Sequence, residues 1–130
     1  MIAVDTNVVV RLITADHPDQ SPRALALFTQ HEIWLPTSVV LETEWVLRSS
    51  RGFTRAQFVD ALGLLAGLPN LRLEHPARIA QALDWHGQGM DFADAIHLAA
   101  SDECETFATF DRRLIAAAGQ PEIGRPVREP

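Results

Sequence analysis

The chain has 130 residues, of which 47% are hydrophobic, and a formal net charge of −6. This length and composition predict one domain, residues 1–130, with one sizeable core. The negative charge argues against a broad basic surface that binds nucleic acid unaided. Lysine is absent and every basic residue is arginine, which excludes lysine-dependent chemistry such as P-loop nucleotide binding.

The sequence favours a reducing compartment. Its single cysteine, Cys104, cannot form an internal disulfide and matches no Cys/His metal spacing, so we expect an inert thiol. The first residues, "MIAVDTNVVVRLITADHPD", lack the basic region and cleavage site of a signal peptide. No apolar segment approaches the roughly 18 residues that span a bilayer. We therefore expect a soluble, cytoplasmic protein.

The first half of the chain alternates predicted strands and helices. Residues 1–5 predict a short buried strand, and Thr6 or Asn7 can cap a helix that continues to about Thr14. A turn at "DHPDQSP" precedes a second helix, with Ser21 as its cap and Pro22 in its first position. "EIWLP" predicts the second strand. The third helix is predicted from Thr37 or Ser38 to Gly52.

The same alternation continues in the second half. Thr54 and Gln57 form a predicted capping box for a helix that Pro69 stops. "LRLEHP" predicts a third strand, and Pro76 opens a helix that ends near "HGQG". "MDFADAIHLAASDEC" predicts a helix, "TFATF" a strand, "RRLIAAAG" a helix and "RPVREP" a short last strand. This order of elements predicts a mostly parallel sheet between helical layers.

Acidic residues follow two of the predicted strands. Asp5 ends the first strand, and Asp111 follows "TFATF". Because ligands bind at the carboxyl ends of parallel strands, we expect both carboxylates at one edge of the sheet. Each has a structural alternative. Asp5 can be a helix cap or turn residue, and Asp111 can cap the next helix or pair with Arg112 and Arg113.

The third predicted helix carries two glutamates with different surroundings. Glu44 has Arg48 four residues on, which predicts an ordinary exposed ion pair with a structural role. Glu42 has Val39, Trp45 and Val46 at i−3, i+3 and i+4, an apolar face without a basic partner. Such a position requires a cation or another partner for the carboxylate. The alternative is that Glu42 lies on the rim and reaches water.

Two further acids lie three residues apart in "GMDFADAIHLAAS". Asp91 and Asp94 share a helical face beside the apolar stripe. Asp91 is placed to be the N-cap, which we prefer to a catalytic role. Asp94 lies in the first turn, where the helix dipole alone also favours negative charge. We interpret His97, one turn later, as a packed or surface residue rather than a ligand.

The joint placement of these acids predicts a metal site. Three or four crowded carboxylates repel, and at least one binds a proton unless a divalent cation offsets their charge. Oxygen ligands suit Mg²⁺ or Mn²⁺, which orient water and stabilise charge at a phosphoryl centre. Phosphodiester hydrolysis is the natural reaction. Thr6, Asn7 and Thr109 are predicted to orient the acids through hydrogen bonds.

These segments resemble a known family. "MIAVDTNVVVRL", "PTSVVLETEWVLRSSRGF", "GMDFADAIHLAAS" and "TFATFDRRL", in this order over nearly the whole chain, resemble the PIN-domain ribonucleases, and among them the VapC-type toxins of toxin–antitoxin pairs. The resemblance implies a three-layer α/β/α sandwich with a mostly parallel central sheet, and Mg²⁺- or Mn²⁺-dependent endoribonuclease activity. It assigns the acidic site to Asp5, Glu42, Asp94 and Asp111, with Asp91 as an accessory candidate. It also implies a homodimer and a cognate antitoxin that inserts a peptide near the active-site groove.

For two groups of residues, the arginines and the apolar residues of the third and fourth helices, the sequence leaves two interpretations open. Several arginines can contact RNA phosphates at the groove or simply be solvated: Arg11, Arg48, Arg51, Arg55 and Arg112. Apolar residues of the third and fourth helices can form a dimer interface or a deeper core: Trp45, Leu47, Phe58, Leu62 and Leu65.

Other functions fit the sequence less well. A receiver-type phosphotransfer domain requires a lysine beside its phosphorylated aspartate. A haloacid-type phosphatase requires a second aspartate two residues after the first, where this chain has Asn7. The remaining alternative is a catalytically silent PIN-fold module that binds RNA or protein. Intact acids at four separate places argue against that alternative.

Overall fold

The alternation of strands and helices predicted from the sequence is confirmed. A computed structural model describes all residues, 1–130. The first seven elements are β1 (Ile2–Ala3), α1 (Thr6–Thr14), α2 (Gln20–Gln30), β2 (Ile33–Leu35), α3 (Thr37–Arg51), α4 (Arg55–Ala66) and β3 (Leu71–Leu73). The last five are α5 (Pro76–Gly87), α6 (Phe92–Ala99), β4 (Phe107–Ala108), α7 (Arg112–Ala118) and β5 (Val127–Arg128).

The chain divides into two compact units, Met1–Pro76 and Ala77–Pro130, which we call the N-terminal and C-terminal units. In the N-terminal unit β2 lies between β1 and β3, and both pairs are parallel, with Ile33 opposite Ile2 and Leu71. In the C-terminal unit β4 pairs in parallel with β5, with Phe107 opposite Val127. The predicted α/β class with parallel strands is therefore confirmed, and the strand pairs form two sheets.

The N-terminal unit has an apolar core built from both sheet and helices. Ile33 and Leu35 of β2 are buried, as are Val9 of α1, Phe28 of α2 and Val40 of α3. Helix α1 packs against both α2 and α3. The sequence left a dimer interface or a deeper core open for five apolar residues of α3 and α4. Four of them, Leu47, Phe58, Leu62 and Leu65, are buried, and Trp45 stays 59% exposed. The deeper core therefore explains four of these five residues.

The C-terminal unit buries apolar side chains from α5, α6 and α7. Trp85, Phe92 and Leu114 are at most 4% exposed. His86 is buried as well, with its Nδ1 2.8 Å from the carbonyl oxygen of Met90 and its ring edge-on to Phe92 at 5.1 Å. Cys104 lies exposed in the turn that follows α6.

Two predicted helix starts are wrong. Asp5, not Thr6 or Asn7, is the N-cap of α1, because Asp5 has extended backbone angles while Thr6 is already helical. Helix α2 begins at Gln20 after Asp19 rather than at Pro22 after Ser21. Ser21 is buried, and its hydroxyl donates to the carbonyl oxygen of Arg11 at 2.8 Å. A tertiary bond therefore replaces the capping bond that the sequence suggested.

The N-terminus of α2 is capped by His17, which precedes the helix. The Nδ1 atom of His17 accepts hydrogen bonds from the backbone N–H groups of Gln20 at 2.9 Å and Asp19 at 3.2 Å. Asp19 itself makes no side-chain capping bond.

Other boundaries agree with the sequence or are shorter. The Thr54–Gln57 capping box is present, and α3 ends at Gly52 in the left-handed region, with φ of 66°. The strand predicted over residues 1–5 is reduced to Ile2–Ala3, and the helix predicted over residues 90–104 to Phe92–Ala99. None of the seven helices combines the length and apolar character needed to cross a lipid bilayer.

Candidate active site

Two predicted acids of the N-terminal unit line one cleft. Asp5, at the end of β1, and Glu42, in α3, face an open cleft of about 420 Å³. The same cleft is lined by the predicted accessory residues Thr6 and Asn7 and by two arginines, Arg11 and Arg51. The fold of this unit therefore brings together an acidic pair and a basic pair that the sequence places up to 46 residues apart.

Asp5 has both a structural and a free carboxylate oxygen. Its Oδ1 accepts a hydrogen bond from the backbone N–H of Thr6 at 2.7 Å, which stabilises the start of α1. The side chain is exposed and forms no ion pair. The capping alternative for Asp5 is thus confirmed, and it leaves the second oxygen available to a ligand.

Thr6 is an unusual neighbour of this acid. It is only 5% exposed, and its hydroxyl oxygen has no hydrogen-bond partner. A buried hydroxyl without a partner costs free energy, which makes Thr6 the one polar side chain of the cleft whose placement its own contacts do not explain.

The structure corrects the reading of the two glutamates of α3. Glu42 is exposed at the cleft, so the alternative of a rim position that reaches water is right. Glu44, predicted as an exposed residue, is buried at 4% exposure. Its pairing with Arg48 is confirmed, because the Arg48 Nε lies 3.0 and 3.2 Å from the two carboxylate oxygens. Burial of Glu44 follows from its position between the buried residues Val40 and Leu47, one turn away on either side.

The C-terminal unit groups the other predicted acids. Asp91 is the N-cap of α6, as expected, and accepts from the backbone N–H of Asp94 at 3.2 Å. The pKa of Asp94 is raised above its ordinary value, first by partial burial and then by the negative charges of Asp91 and Asp111. His97 opposes this shift from the next turn and is exposed. A carboxyl group in this setting gains free energy from any cation that approaches it.

Asp111 caps α7 and is itself positioned by Thr109. Its Oδ1 accepts from the backbone N–H groups of Arg113 at 2.9 Å and Leu114 at 3.3 Å. The hydroxyl oxygen of Thr109 accepts from the backbone N–H of Asp111 at 3.0 Å. The capping alternative is confirmed, and no ion pair joins the Asp111 carboxylate to Arg112, which lies 3.5 Å from Glu129 instead.

The predicted phosphate-binding arginines are distributed unevenly. Arg11 and Arg51 line the cleft, whereas Arg48 pairs with Glu44 and Arg112 with Glu129. Arg55 is exposed at the first position of α4. Of the five, only Arg11 and Arg51 therefore line the cleft that contains Asp5 and Glu42.

Asp16 is a residue of this region that the sequence reasoning missed. It follows α1 in a stretch interpreted only as a turn, and its carboxylate contacts both Arg11 and Arg51. Because Arg51 lies 35 residues away, no local spacing pattern signals this contact.

Residues 2–120 match the PIN domain family. The chain belongs to the PIN-domain family. No curated protein matches the chain. PIN domains are usually nucleases, so this fold supports a hydrolase that cleaves nucleic acid, and PIN nucleases generally use divalent metal ions.

The donor atoms of this PIN domain fit a hard divalent cation. The predicted ligands are all carboxylates, the type that Mg²⁺ and Mn²⁺ prefer, and no thiolate or imidazole is among them. No group of three or more His, Cys, Asp or Glu side chains is assembled as a metal site. The raised pKa of Asp94 and the unpaired carboxylates of Asp5 and Glu42 are the features that suit a cation.

Proposed function

We propose that this PIN domain is a divalent-metal-dependent endoribonuclease. The observation that carries the proposal is that the four predicted catalytic acids form no ion pairs. Asp5, Glu42, Asp94 and Asp111 take part in none of the ion pairs, although arginines lie close to them in the cleft and in the chain. The nearby guanidinium groups pair with other acids instead. Carboxylates without a basic partner keep oxygen atoms free, and such oxygens are the ligands that Mg²⁺ and Mn²⁺ prefer.

In this proposal, Asp5, Asp94 and Asp111 would hold the ion, and Glu42 would hold it or orient the attacking water. A bound Mg²⁺ or Mn²⁺ would lower the pKa of that water and stabilise negative charge on the phosphoryl group. Thr109 supports this arrangement through its hydrogen bond to the backbone of Asp111, and Asp91 supports it through its bond to the backbone of Asp94. Thr6 and Asn7 are the accessory groups beside Asp5.

Cleavage of RNA by matched variants tests the proposal. Asp94→Asn removes one proposed ligand with little change of shape, and Asp84→Asn removes an exposed carboxylate of α5 that lies outside the proposed site. With Mg²⁺ present, we expect the wild type and D84N to cleave RNA and D94N to lose on the order of 100-fold or more in rate. Equal rates for D94N and the wild type would overturn the proposal.

The biological role that we propose is that of a VapC-type toxin acting on cytoplasmic RNA. The support is the resemblance of four separate segments, in order, to that group. Induced expression should arrest growth of a bacterial host, and D94N should not. Co-expression of the neighbouring reading frame, as the candidate antitoxin, should restore growth. Arrest by D94N to the same degree would separate toxicity from the acidic site and contradict this role.

The same resemblance extends the proposal to a homodimer. Within the chain, Trp45 is a large apolar side chain that stays 59% exposed on α3, three residues after Glu42. Sedimentation analysis of the wild type and Trp45→Ser tests this extension. We expect a dimer for the wild type, and a monomer at all concentrations would contradict it. The catalytically silent alternative is not favoured, because PIN domains are usually nucleases.

A further inference from the structure

The two arginines of the cleft come from distant parts of the N-terminal unit. Arg11 lies in α1, and Arg51 is the last residue of α3. Both line the cleft that contains Asp5 and Glu42. A mobile guanidinium in such a cleft would be drawn to the nearest carboxylate, and an arginine paired with Asp5 or Glu42 would compete with a cation. The structure contains neither pair.

Asp16 binds both arginines instead, with one carboxylate oxygen for each. Its Oδ2 accepts from a terminal nitrogen of Arg51 at 2.7 Å, and its Oδ1 lies 3.5 Å from a terminal nitrogen of Arg11. The Nε of Arg11 also donates to Gln20 at 2.8 Å. Each guanidinium is therefore held at its position by groups that take no part in the proposed metal site.

Asp16 is itself fixed by the end of α1. The Thr14 hydroxyl, which has one donor hydrogen, lies 2.9 Å from its Oδ1 and 2.8 Å from the carbonyl oxygen of Val10, so the two acceptors share it. Ala15 ends the helix in the left-handed region with φ of 51°, a conformation that non-glycine residues adopt at a cost and that turns the chain back at Asp16. The Thr14 hydrogen bond, and then Arg51 and Arg11, lower the pKa of Asp16 against the opposing effect of desolvation, which keeps it ionised at neutral pH.

The arginines keep hydrogen-bonding capacity for a ligand. A guanidinium has five N–H donors, of which Arg51 uses one on Asp16. The exposed fractions of the Arg11 and Arg51 side chains are 29% and 33%, compared with 89% for Arg112 and 55% for Arg48. The group of Asp16, Arg11 and Arg51 has a net charge of +1, so this side of the cleft suits an anion, while Asp5 and Glu42 keep the rest of the cleft negative.

We infer that Asp16 is a positioning residue that holds Arg11 and Arg51 as a pair for a backbone phosphate of the RNA, and keeps both arginines away from Asp5 and Glu42. This inference rests on the proposed nuclease function and adds the means by which the substrate is held. It assigns a role to Asp16 and Thr14, two residues outside the predicted acidic site.

The direction in which Asp16→Asn changes RNA affinity distinguishes this positioning role from a general effect of net charge. Asp16→Asn makes the protein less negative by one charge, and that change alone strengthens binding of a polyanion. Positioning predicts the opposite result, because two guanidinium groups without their shared carboxylate repel each other and can turn to the acids of the cleft. Asp19→Asn, three residues away, removes the same charge from the exposed Asp19–Arg23 pair and is the matched control.

The experiment measures binding and cleavage separately. Binding of a fluorescent single-stranded RNA oligonucleotide is measured in EDTA, where the proposed reaction cannot proceed, and KM and kcat are measured with Mg²⁺. For D16N we expect Kd and KM to rise on the order of 10-fold, and kcat to fall by a smaller factor because the released arginines compete with the cation at Asp5 and Glu42. The slope of log Kd against log salt should fall by about 0.7 for each phosphate of this single-stranded RNA that the variant no longer neutralises. D19N should bind RNA as tightly as the wild type or more tightly, and Asp16→Glu should recover most of the affinity.

Thr14→Val provides a second variant. It keeps the charge of Asp16 and removes the Thr14 hydroxyl that lies beside the Asp16 carboxylate. We expect a smaller rise of KM in the same direction. This variant decides the question if D16N does not fold. Binding by D16N as tight as or tighter than that of the wild type, or an unchanged KM in T14V when D16N is unfolded, would overturn the positioning role. A wild type that neither cleaves nor binds RNA would instead overturn the proposed function.

Discussion

Glu74 caps helix α3 from a position 37 residues later in the chain. Its Oε1 accepts a hydrogen bond from the backbone N–H of Thr37 at 3.0 Å, and the Thr37 hydroxyl donates to the Glu74 carbonyl oxygen at 3.3 Å. The N-cap residue of α3, Pro36, has no side chain able to cap it. The carboxylate that follows β3 therefore satisfies the start of the helix that carries Glu42, and its negative charge suits that end of the helix.

Replacing Glu74 should lower stability at neutral pH but not at low pH, where the Glu74 carboxylate is protonated. The bonds to Thr37 lower the pKa of Glu74 in the folded protein. A lowered pKa contributes stability above the unfolded-state pKa, and this contribution is lost as the pH falls through the folded-state pKa. We expect Glu74→Gln to melt at a lower temperature than the wild type at pH 7, with the difference shrinking toward pH 3. Thermal denaturation across this range measures it.

Glu32→Gln is the control for this prediction. Glu32 pairs with Arg72 at 3.7 Å, and both side chains are more than half exposed, so the pair should contribute little. Equal melting temperatures for E74Q and the wild type at pH 7 would show that the Glu74 carboxylate does not stabilise α3.

Two substitutions at Asp111 separate its capping role from the proposed metal role. Asparagine is as good an N-cap as aspartate, whereas alanine leaves the N–H groups of Arg113 and Leu114 without their acceptor. We expect Asp111→Ala to lose about 1 kcal/mol of unfolding free energy and Asp111→Asn to lose far less. Both should lose RNA cleavage if the carboxylate binds the ion. Chemical denaturation and a cleavage assay together provide the readout, and full activity in D111N would leave Asp111 with the capping role alone.

Replacing Asp94 should have opposite effects on stability and on activity. Its raised pKa means that the ionised form is disfavoured in the folded protein, by burial and by repulsion from Asp91 and Asp111. This penalty is present above the folded-state pKa and disappears as the group is protonated at lower pH. In EDTA at pH 7 to 8, Asp94→Asn should therefore melt at or above the wild-type temperature while cleavage is lost. A clear fall in melting temperature would show that Asp94 stabilises the fold instead.

Divalent ions should stabilise the folded protein through the same acids. A ligand that binds only the folded state stabilises it by about 2.7 kcal/mol at a free concentration 100 times its Kd. We expect the melting temperature of the wild type to rise from EDTA to MnCl₂, and the rise to be reduced in D94N but not in D84N. The same shift in all three proteins would indicate that the ion binds elsewhere.

Local chemistry explains which features could be predicted from the sequence. The Thr54–Gln57 capping box, the glycine that ends α3 and the positions of Asp91 and Asp111 before their helices depend on residues within one turn. Such contacts are encoded by short spacings, so pattern reasoning finds them.

Contacts between distant segments could not be predicted in this way. The Glu74–Thr37 and Asp16–Arg51 bonds join residues 37 and 35 positions apart, and only the packed fold brings them together. Glu44 is an intermediate case. Its neighbours Val40 and Leu47 are apolar and fully buried, so the periodicity of α3 did contain the signal for a buried Glu44, but the Arg48 pairing suggested an exposed one.

The exposed thiol of Cys104 gives the protein a single chemical handle. A maleimide dye would label this turn alone, seven residues from the nearest proposed catalytic acid, Asp111, and in a segment that contributes no side chain to the Asp5–Glu42 cleft. Fluorescence anisotropy of that dye would follow complex formation with unlabelled RNA, since the labelled particle tumbles more slowly as its mass increases.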